Sequence, residues 1–169
     1  LIELAACACF LTCVLATNDT LVRIALFCFM VGLLLSSVID IEHGILPDQI
    51  TLPLLWTGLL VNLYLDLVPL SAAVLGATLG YVSLWLLYWI YKLLRGKEAF
   101  GYGDFKLLAA TGAWFGFQAL PSTLIYASTT GLIWALLKGF IEKGPIRSIP
   151  FGPFISLGVV IYILSSNSL

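Results

Sequence analysis

The sequence predicts an all-α, polytopic bundle of about seven transmembrane helices. Hydrophobic residues make up 61% of the chain and charged residues 10%, whereas a soluble domain is about half apolar and about a quarter charged. A spanning helix needs about 20 apolar residues, so a chain of 169 residues has room for roughly six to eight helices. No sizeable soluble domain fits beside them.

Seven apolar runs are the candidate helices. In chain order they are Leu1–Ala16, Leu21–Ile39, Ile50–Leu65, Leu70–Leu94, Leu107–Leu120, Ser122–Leu137 and Phe151–Leu164. Several runs have fewer than about 18 residues, a length more typical of tightly packed helices or of a locally thinned bilayer. The run Leu70–Leu94 has no charged residue before Lys92, which disfavours a soluble bundle, because the helices of such a bundle alternate apolar and charged faces.

The basic residues predict which side of the membrane each loop faces, because Lys and Arg of short loops concentrate on the cytoplasmic side. If Leu1 starts in the cytoplasm, the loops after the second, fourth and sixth runs are cytoplasmic. Seven of the eight basic residues then lie on the cytoplasmic side, and Arg23 lies on the other side. The seven are Lys92, Arg95, Lys97, Lys106, Lys138, Lys143 and Arg147.

The start of the chain does not resemble a secretory signal peptide. Glu3 stands where such a peptide needs positive charge, and the first residue is Leu, so we expect an upstream part to be missing. The cysteines lie inside apolar runs without the paired C-x-x-C spacing of zinc ligands, which predicts buried free thiols and no metal site. They are Cys7, Cys9, Cys13 and Cys28.

Three carboxylates share the predicted cytoplasmic face: Asp40, Asp48 and Asp104. Asp48 follows Pro47 and precedes a helix, where a carboxylate caps unpaired backbone N–H groups, and a similar role fits Asp104 moderately. A cap does not explain Asp40, which ends the helical segment SSVID, because the C-terminal end of a helix dipole disfavours negative charge. A residue placed against its local preference suggests a functional role.

Two carboxylates on different helices can share one proton, because two close like charges do not both ionise easily. An aspartyl protease uses such a pair: the ionised carboxylate takes a proton from the attacking water, and the protonated one polarises the carbonyl and then protonates the leaving amine. In the segment GYGDFK, Gly101 and Gly103 have no Cβ, so the loop can approach an extended substrate backbone. A glycine-rich turn before a helix explains the same pattern structurally.

These segments resemble the motifs of prepilin peptidases, the membrane aspartyl proteases that mature type IV prepilins and type II secretion pseudopilins. GYGDFKLLAATGAWFG is similar to the family's G-x-G-D-x-K segment, and VIDIEHGILPDQITLPLLWTGLLVN is similar to its other aspartate motif. IPFGPF, residues 149–154, is similar to the motif before the family's final helix. The resemblance implies that Asp40 and Asp104 are the catalytic aspartates. It also implies motif roles for Gly101, Gly103 and Lys106, and structural roles for Pro47 and Asp48.

The resemblance further implies one membrane-embedded aspartyl peptidase domain over residues 1–169. Its substrates would be prepilins or pseudopilins with a basic leader, cut at the cytoplasmic face of the bacterial inner membrane, so its partners are substrate and lipid bilayer, with no nucleic acid. Proteolysis needs no cofactor. Bifunctional relatives have an additional N-terminal cytoplasmic segment and methylate the new N-terminus with S-adenosylmethionine. Nothing precedes Leu1 here, so we expect that cofactor only in a longer, bifunctional parent protein.

The main alternative is a transporter or proton-conducting module, because ionisable groups at membrane depth often mark ion paths. That alternative predicts carboxylates near the bilayer midplane and an internal repeat, and the sequence shows neither. An inactive assembly subunit is a further alternative, which would not need both aspartates. The G-x-x-x-G spacings Gly76–Gly80 and Gly112–Gly116 predict closely packed helices.

Overall fold

In the computed structural model, the described residues are 11–13, 17–96, 101–141 and 150–166. Within these ranges the chain forms six helices of at least 14 residues. They are α1 (Thr20–His43), α2 (Asp48–Leu65), α3 (Leu70–Arg95), α4 (Tyr102–Phe115), α5 (Ala119–Ile141) and α6 (Gly152–Ser165). Residues 11–13 are helical as well, while the rest of the predicted run Leu1–Ala16 lies outside the described residues. The predicted all-α bundle is confirmed.

Three of these helices are long and apolar enough to cross a membrane: α1, α3 and the segment Ala119–Phe140 of α5. The helix α6 is apolar but has only 14 residues. Large apolar side chains such as Trp85, Trp89 and Trp134 are exposed on the outer faces of α3 and α5. Helices that are apolar on their outer faces as well as toward their neighbours are typical of membrane bundles.

The helix α4 lies at the centre of the bundle. Nearly every residue from Asp104 to Phe115 is buried, and the helix packs against α2, α3, α5 and α6. Its contact with α3 is especially close: a Cβ at Gly80 would lie 2.7 Å from the carbonyl oxygen of Leu108. A Cβ at Gly76 would overlap the carbonyl oxygen of Gly112. The close packing predicted from the G-x-x-x-G spacings is therefore confirmed for this helix pair.

The boundary between α4 and α5 differs from the prediction. The fifth apolar run predicts a helix over Leu107–Leu120, but α4 begins at Tyr102 and ends at Phe115, directly before Gly116. Gly116 has a φ of 76°, a left-handed conformation that only glycine adopts easily and that stops the helix. Pro121 lies in the first turn of α5. A helix tolerates proline there because the N–H groups of a first turn have no partner within the helix, so the N–H that proline lacks is not needed.

Buried polar groups fix α4 against α2. The side-chain amide nitrogen of Asn62 lies 2.8 Å from the carbonyl oxygen of Ala113 and 3.0 Å from that of Trp114. The side-chain oxygen of Asn62 accepts a hydrogen bond of 2.8 Å from the N–H of Val68. The indole N–H of Trp114 donates to the carbonyl oxygen of Leu54 at 2.8 Å. These bonds satisfy groups that have no access to water, so they restrict how α4 can shift along α2.

Candidate active site

The end of α1 and the starts of α2, α4 and α6 meet at one end of the bundle. Leu46, in the loop between α1 and α2, lies at the centre of this junction. A Cβ at Gly103 of α4 would overlap the Cβ of Leu46, and a Cβ at Gly152 of α6 would lie 3.2 Å from its methyl carbons. Three segments that are far apart in the sequence therefore converge here, and two of the three predicted aspartates are buried among them.

Asp40 lies in the last turn of α1, and its exposed fraction is 6%. The prediction that the helix ends at Asp40 is wrong: α1 continues to His43. Gly44 then donates its N–H to the Asp40 carbonyl oxygen. The Asp40 carboxylate oxygen Oδ2 accepts a hydrogen bond of 3.0 Å from the N–H of Gly152, the first residue of α6. The positive end of the α6 dipole therefore compensates for the negative end of α1, which explains how Asp40 is tolerated at this position.

Asp104 is the third residue of α4, and its exposed fraction is 5%. Its carboxylate oxygen Oδ2 accepts a hydrogen bond of 3.1 Å from the N–H of Gly101, the residue directly before the helix. Burial raises the pKa of the Asp104 carboxyl to about 7, the negative charge of Asp40 contributes in the same direction, and the Gly101 hydrogen bond opposes both. The cap predicted for Asp104 is present as a bond from the side chain back to the residue before the helix.

The structure brings Asp40 and Asp104 from different helices to the same junction: Gly152 contacts both Asp40 and Leu46, and Leu46 also contacts Gly103, the neighbour of Asp104. Two carboxyl groups at one site do not both ionise easily, so such a pair can share a proton and offer an acid and a base at once. Both residues lie at helix ends, Asp40 in the last turn of α1 and Asp104 in the first turn of α4. Neither position is the middle of a spanning helix, where a transporter would hold its ions.

The predicted cap at Asp48 is wrong. Pro47 is the residue before α2, no side chain caps this helix start, and Asp48 is the first helical residue. The Asp48 carboxylate binds the ammonium of Lys106 instead, with 2.5 Å between Oδ1 and Nζ. Residue 48 can still favour the helix by its charge, because negative groups in a first turn interact well with the helix dipole. The ion pair ties the start of α2 to α4, two residues after Asp104.

The two glycines of the GYGD segment have different surroundings. Gly101 supplies the N–H that Asp104 accepts, and a Cβ at Gly101 would lie 3.6 Å from the Asp104 carboxylate, an ordinary contact distance. Gly103 is half-buried beneath Leu46, which occupies the space of a side chain at that position. The group that comes close to Gly103 is therefore Leu46, in the loop between α1 and α2 of this chain. Its predicted approach to a substrate stays a prediction.

Sequence analysis did not identify Gly152 or Leu46 as part of this site. The segment IPFGPF contains a Gly-Pro pair that is typical of a helix start, so the start of α6 was recognisable there. Which carboxylate that helix start meets depends on a contact between residues 112 positions apart. No local pattern carries that information.

Metal binding has no support within the described ranges, where no three His, Cys, Asp or Glu side chains form a group that could hold an ion. Cys13 is buried, as predicted, whereas Cys28 is a free thiol exposed on α1. The other two cysteines lie outside the described residues, as do Lys97, Lys143 and Arg147.

Comparison with known proteins identifies close relatives. The model of the type IV leader peptidase family matches residues 27–136. A prepilin leader peptidase/N-methyltransferase from Pectobacterium carotovorum subsp. carotovorum is 52% identical over 129 residues, which cover 76% of this chain and 46% of the relative. The protein of the same name from Aeromonas salmonicida (strain A449) is 52% identical over 135 residues, which cover 78% and 45%. That from Escherichia coli (strain K12) is 46% identical over 151 residues, which cover 89% and 67%.

The chain spans about half the length of the first two of these relatives. No solved structure matches it significantly. The family match contains Asp40, Asp104 and Lys106, and it ends before Gly152. From the extent of this match and from the identity to these relatives, the chain belongs to the type IV leader peptidase family.

Proposed function

We propose that this chain is an aspartyl endopeptidase that removes the leader peptides of type IV prepilins or type II secretion pseudopilins. The observation that carries the proposal is the pair of buried carboxylates, Asp40 and Asp104, which come from different helices and are electrostatically coupled. Each carboxylate accepts a backbone N–H, from Gly152 and Gly101 respectively, so each is held in one orientation. The names of the relatives support prepilins as the substrate class.

In the proposed reaction we assign the proton to Asp104, because burial raises the pKa of its carboxyl to about 7, and the role of the base to Asp40, whose carboxylate accepts the N–H of Gly152. The Asp40 carboxylate accepts a proton from water as the water oxygen attacks the carbonyl carbon of the scissile peptide. The Asp104 carboxyl donates a hydrogen bond to the carbonyl oxygen, which becomes negatively charged as the tetrahedral intermediate forms. When the intermediate collapses, a proton held by the pair passes to the leaving amine.

The proposed active site faces the cytoplasm from the bacterial inner membrane. Lys92 and Arg95 lie in the last turn of α3, and Lys106 lies in the first turns of α4, so these basic side chains flank the end of the bundle that holds both aspartates. Arg23 lies near the start of α1, the opposite end from Asp40. Basic loops favour the cytoplasmic side, and a basic prepilin leader is found on that side too.

Proteolysis by this pair needs no cofactor. The names of the relatives also contain N-methyltransferase. S-adenosylmethionine would serve that second activity, in a bifunctional parent protein, and we assign it no residue of this chain.

The test is cleavage of a prepilin by the purified chain in lipid nanodiscs, with the cut site located by mass spectrometry. Asp40→Asn and Asp104→Asn should each reduce cleavage to background, because Asn keeps the shape of Asp but exchanges no proton. Asp66→Asn is the matched control. Asp66 follows α2 directly with a φ of 48°, a conformation that Asn adopts readily, and it lies at the other end of α2 from Asp48.

Circular dichroism should show equal helicity for the three variants and the wild-type chain. Near-wild-type turnover by either Asp40→Asn or Asp104→Asn would exclude the proposed pair. Background cleavage by Asp66→Asn would show that the assay measures damage to folding rather than loss of the pair.

A further inference from the structure

Gly152 contacts Asp40 in a way that no other residue type at this position allows. Its N–H donates to Oδ2 of Asp40 at 3.0 Å. A Cβ at position 152 would lie 2.7 Å from the same oxygen and 3.2 Å from both methyl carbons of Leu46. Real Cβ atoms essentially never come closer than 3.0 Å to another heavy atom, so either the carboxylate or the helix would have to move. The carboxylate thus occupies the space that a side chain would fill.

The start of α6 is held next to Asp40 by a line of hydroxyl groups between α1 and α6. The Ser156 hydroxyl lies 3.1 Å from the Gly152 carbonyl oxygen and 2.9 Å from the Ser37 hydroxyl. The Ser37 hydroxyl also lies 2.8 Å from the carbonyl oxygen of Leu33. Ser37 lies about one turn before Asp40, and Ser156 about one turn after Gly152, so these bonds set the register in which the two helices meet.

The Gly152 N–H is the one hydrogen-bond donor to the Asp40 carboxylate within the described part of the chain. Asp104 on α4 faces the carboxylate with the same sign of charge. No ion pair between described residues includes Asp40. Among the described residues, the other titratable groups at this end include the exposed Glu42 and His43 on α1, the Asp48–Lys106 pair, and Lys92 and Arg95 in the last turn of α3.

We propose that Gly152 is a positioning residue of the aspartate pair: its N–H fixes the Asp40 carboxylate, and its missing side chain leaves the space for that carboxylate. This inference rests on the proposed peptidase function of Asp40 and Asp104. Gly152 performs no chemistry and touches no substrate. It acts by stabilising the ionised form of Asp40 and by aiming one carboxylate oxygen, because an N–H donor favours a carboxylate over the neutral acid.

Removing the N–H without changing the side chain tests the first half of the proposal. Gly152→glycolic acid, made by cell-free synthesis into nanodiscs, replaces the amide at this position by an ester; it deletes the donor, adds no side chain, and weakens the Phe151 carbonyl that accepts the N–H groups of Phe154 and Ile155. The acid limb of the pH profile of kcat/KM should move to higher pH by about one unit, as expected for the loss of one hydrogen bond to a charged group. A profile that superimposes on that of the wild-type chain would overturn the proposal.

Adding a side chain tests the second half. Gly152→Ala should reduce kcat roughly 10- to 100-fold, since small misplacements of reacting groups have effects of this size. In Gly131→Ala the new Cβ would lie 3.5 Å from the Phe154 ring, an ordinary contact, so activity should not change. In Gly158→Ala the new Cβ would lie 2.6 Å from the carbonyl oxygen of Thr123, a similar clash on the same helix but away from Asp40.

Gly158→Ala should lower the folded yield and leave the pH profile of the folded fraction in place. Gly152→Ala with wild-type kcat and an unmoved pH profile would overturn the proposal. So would a Gly158→Ala variant that shifts the profile as much as Gly152→Ala, because the shift would then follow from general damage to α6.

A measurement without turnover separates this inference from the proposed function. In the Asp104→Asn background, infrared titration with ¹³C-labelled aspartate follows the protonation of Asp40 without its coupled partner, once the titration of the Asp40→Asn/Asp104→Asn double variant has been subtracted to remove the signals of the other aspartates. The ester at position 152 should move that protonation upward by about one pH unit relative to the amide. No shift would refute the role of Gly152 even if prepilin is cleaved, and the shift would support it even if prepilin is not the substrate.

Discussion

The free energy of unfolding of the wild-type chain should fall as the pH rises from about 4 to about 7, because of Asp104. The variant Asp104→Asn should not show this part of the decrease. The ordinary pKa of this carboxyl is 3.8, and burial next to Asp40 raises it to about 7 in the folded chain. Within that window the unfolded chain has released the proton and the folded chain still holds it. The folded state binds more protons, so rising pH favours unfolding.

The magnitude follows from the difference between the two pKa values. About three units, at about 1.4 kcal/mol each, give up to about 4 kcal/mol of free energy of unfolding lost across the window. Asn at position 104 carries no charge, so its burial has no pH dependence. Its side-chain oxygen can still accept the N–H of Gly101. The variant should therefore be close to the wild-type chain in stability near pH 4 and more stable above pH 7.

The assay is reversible denaturation in detergent micelles at pH 5, 6, 7 and 8, followed by circular dichroism. The wild-type chain should lose stability relative to Asp104→Asn at each step up to about pH 7 and run parallel to it above that pH. Asp66→Asn serves as the control and should follow the wild-type curve. Parallel curves for the wild-type chain and Asp104→Asn from pH 5 to 8 would refute the raised pKa and the burial that causes it.

The other predictions concern the surroundings of the pair. Asp48→Asn and Lys106→Met should each lower stability by less than about 1 kcal/mol and keep most of the initial cleavage rate, because this ion pair is partly exposed; cleavage lost completely in Asp48→Asn would place Asp48 in the catalytic pair. Gly103→Ala should lower folded yield and cleavage together, because the new Cβ overlaps Leu46; normal elution in gel filtration with no cleavage would instead indicate direct contact with substrate. Asn62→Leu should reduce the free energy of unfolding in detergent by about 1–3 kcal/mol, since buried backbone groups lose their partners; unchanged stability would contradict the buried hydrogen bonds.

Much of this architecture was predictable because the relevant signals are local. Long apolar runs, interrupted by short polar segments, are sufficient to predict a helical membrane bundle. Asp40 was recognisable because an aspartate at a helix C-terminus needs an explanation beyond its own helix, and the resemblance to prepilin peptidases implied Asp104 as its partner. The glycine spacing at Gly76 and Gly112 indicated close helix contact, and the structure confirms it for α3 and α4.

The parts that sequence analysis missed depend on tertiary contacts. A carboxylate after Pro47 looks like a cap in any sequence, and only the arrangement of α2 and α4 shows that Asp48 reaches Lys106 instead. The end of α4 was misplaced because the apolar run continues past Gly116 to Leu120, although Gly116 is the residue that adopts a positive φ. The role of Gly152 required the position of α6 relative to α1, which no run of neighbouring residues specifies.

The hydrogen bond from Gly152 to Asp40 has a consequence for biosynthesis. The ribosome must add 112 residues after Asp40 before it makes the donor, which takes roughly 5 to 20 s at typical rates of translation. In the later part of this interval both aspartates have been made, yet the group proposed to orient Asp40 is still missing. If Gly152 has the proposed role, the nascent chain acquires a complete aspartate pair only after α6 has been made, so molecules truncated before residue 152 should not cleave the proposed prepilin substrates.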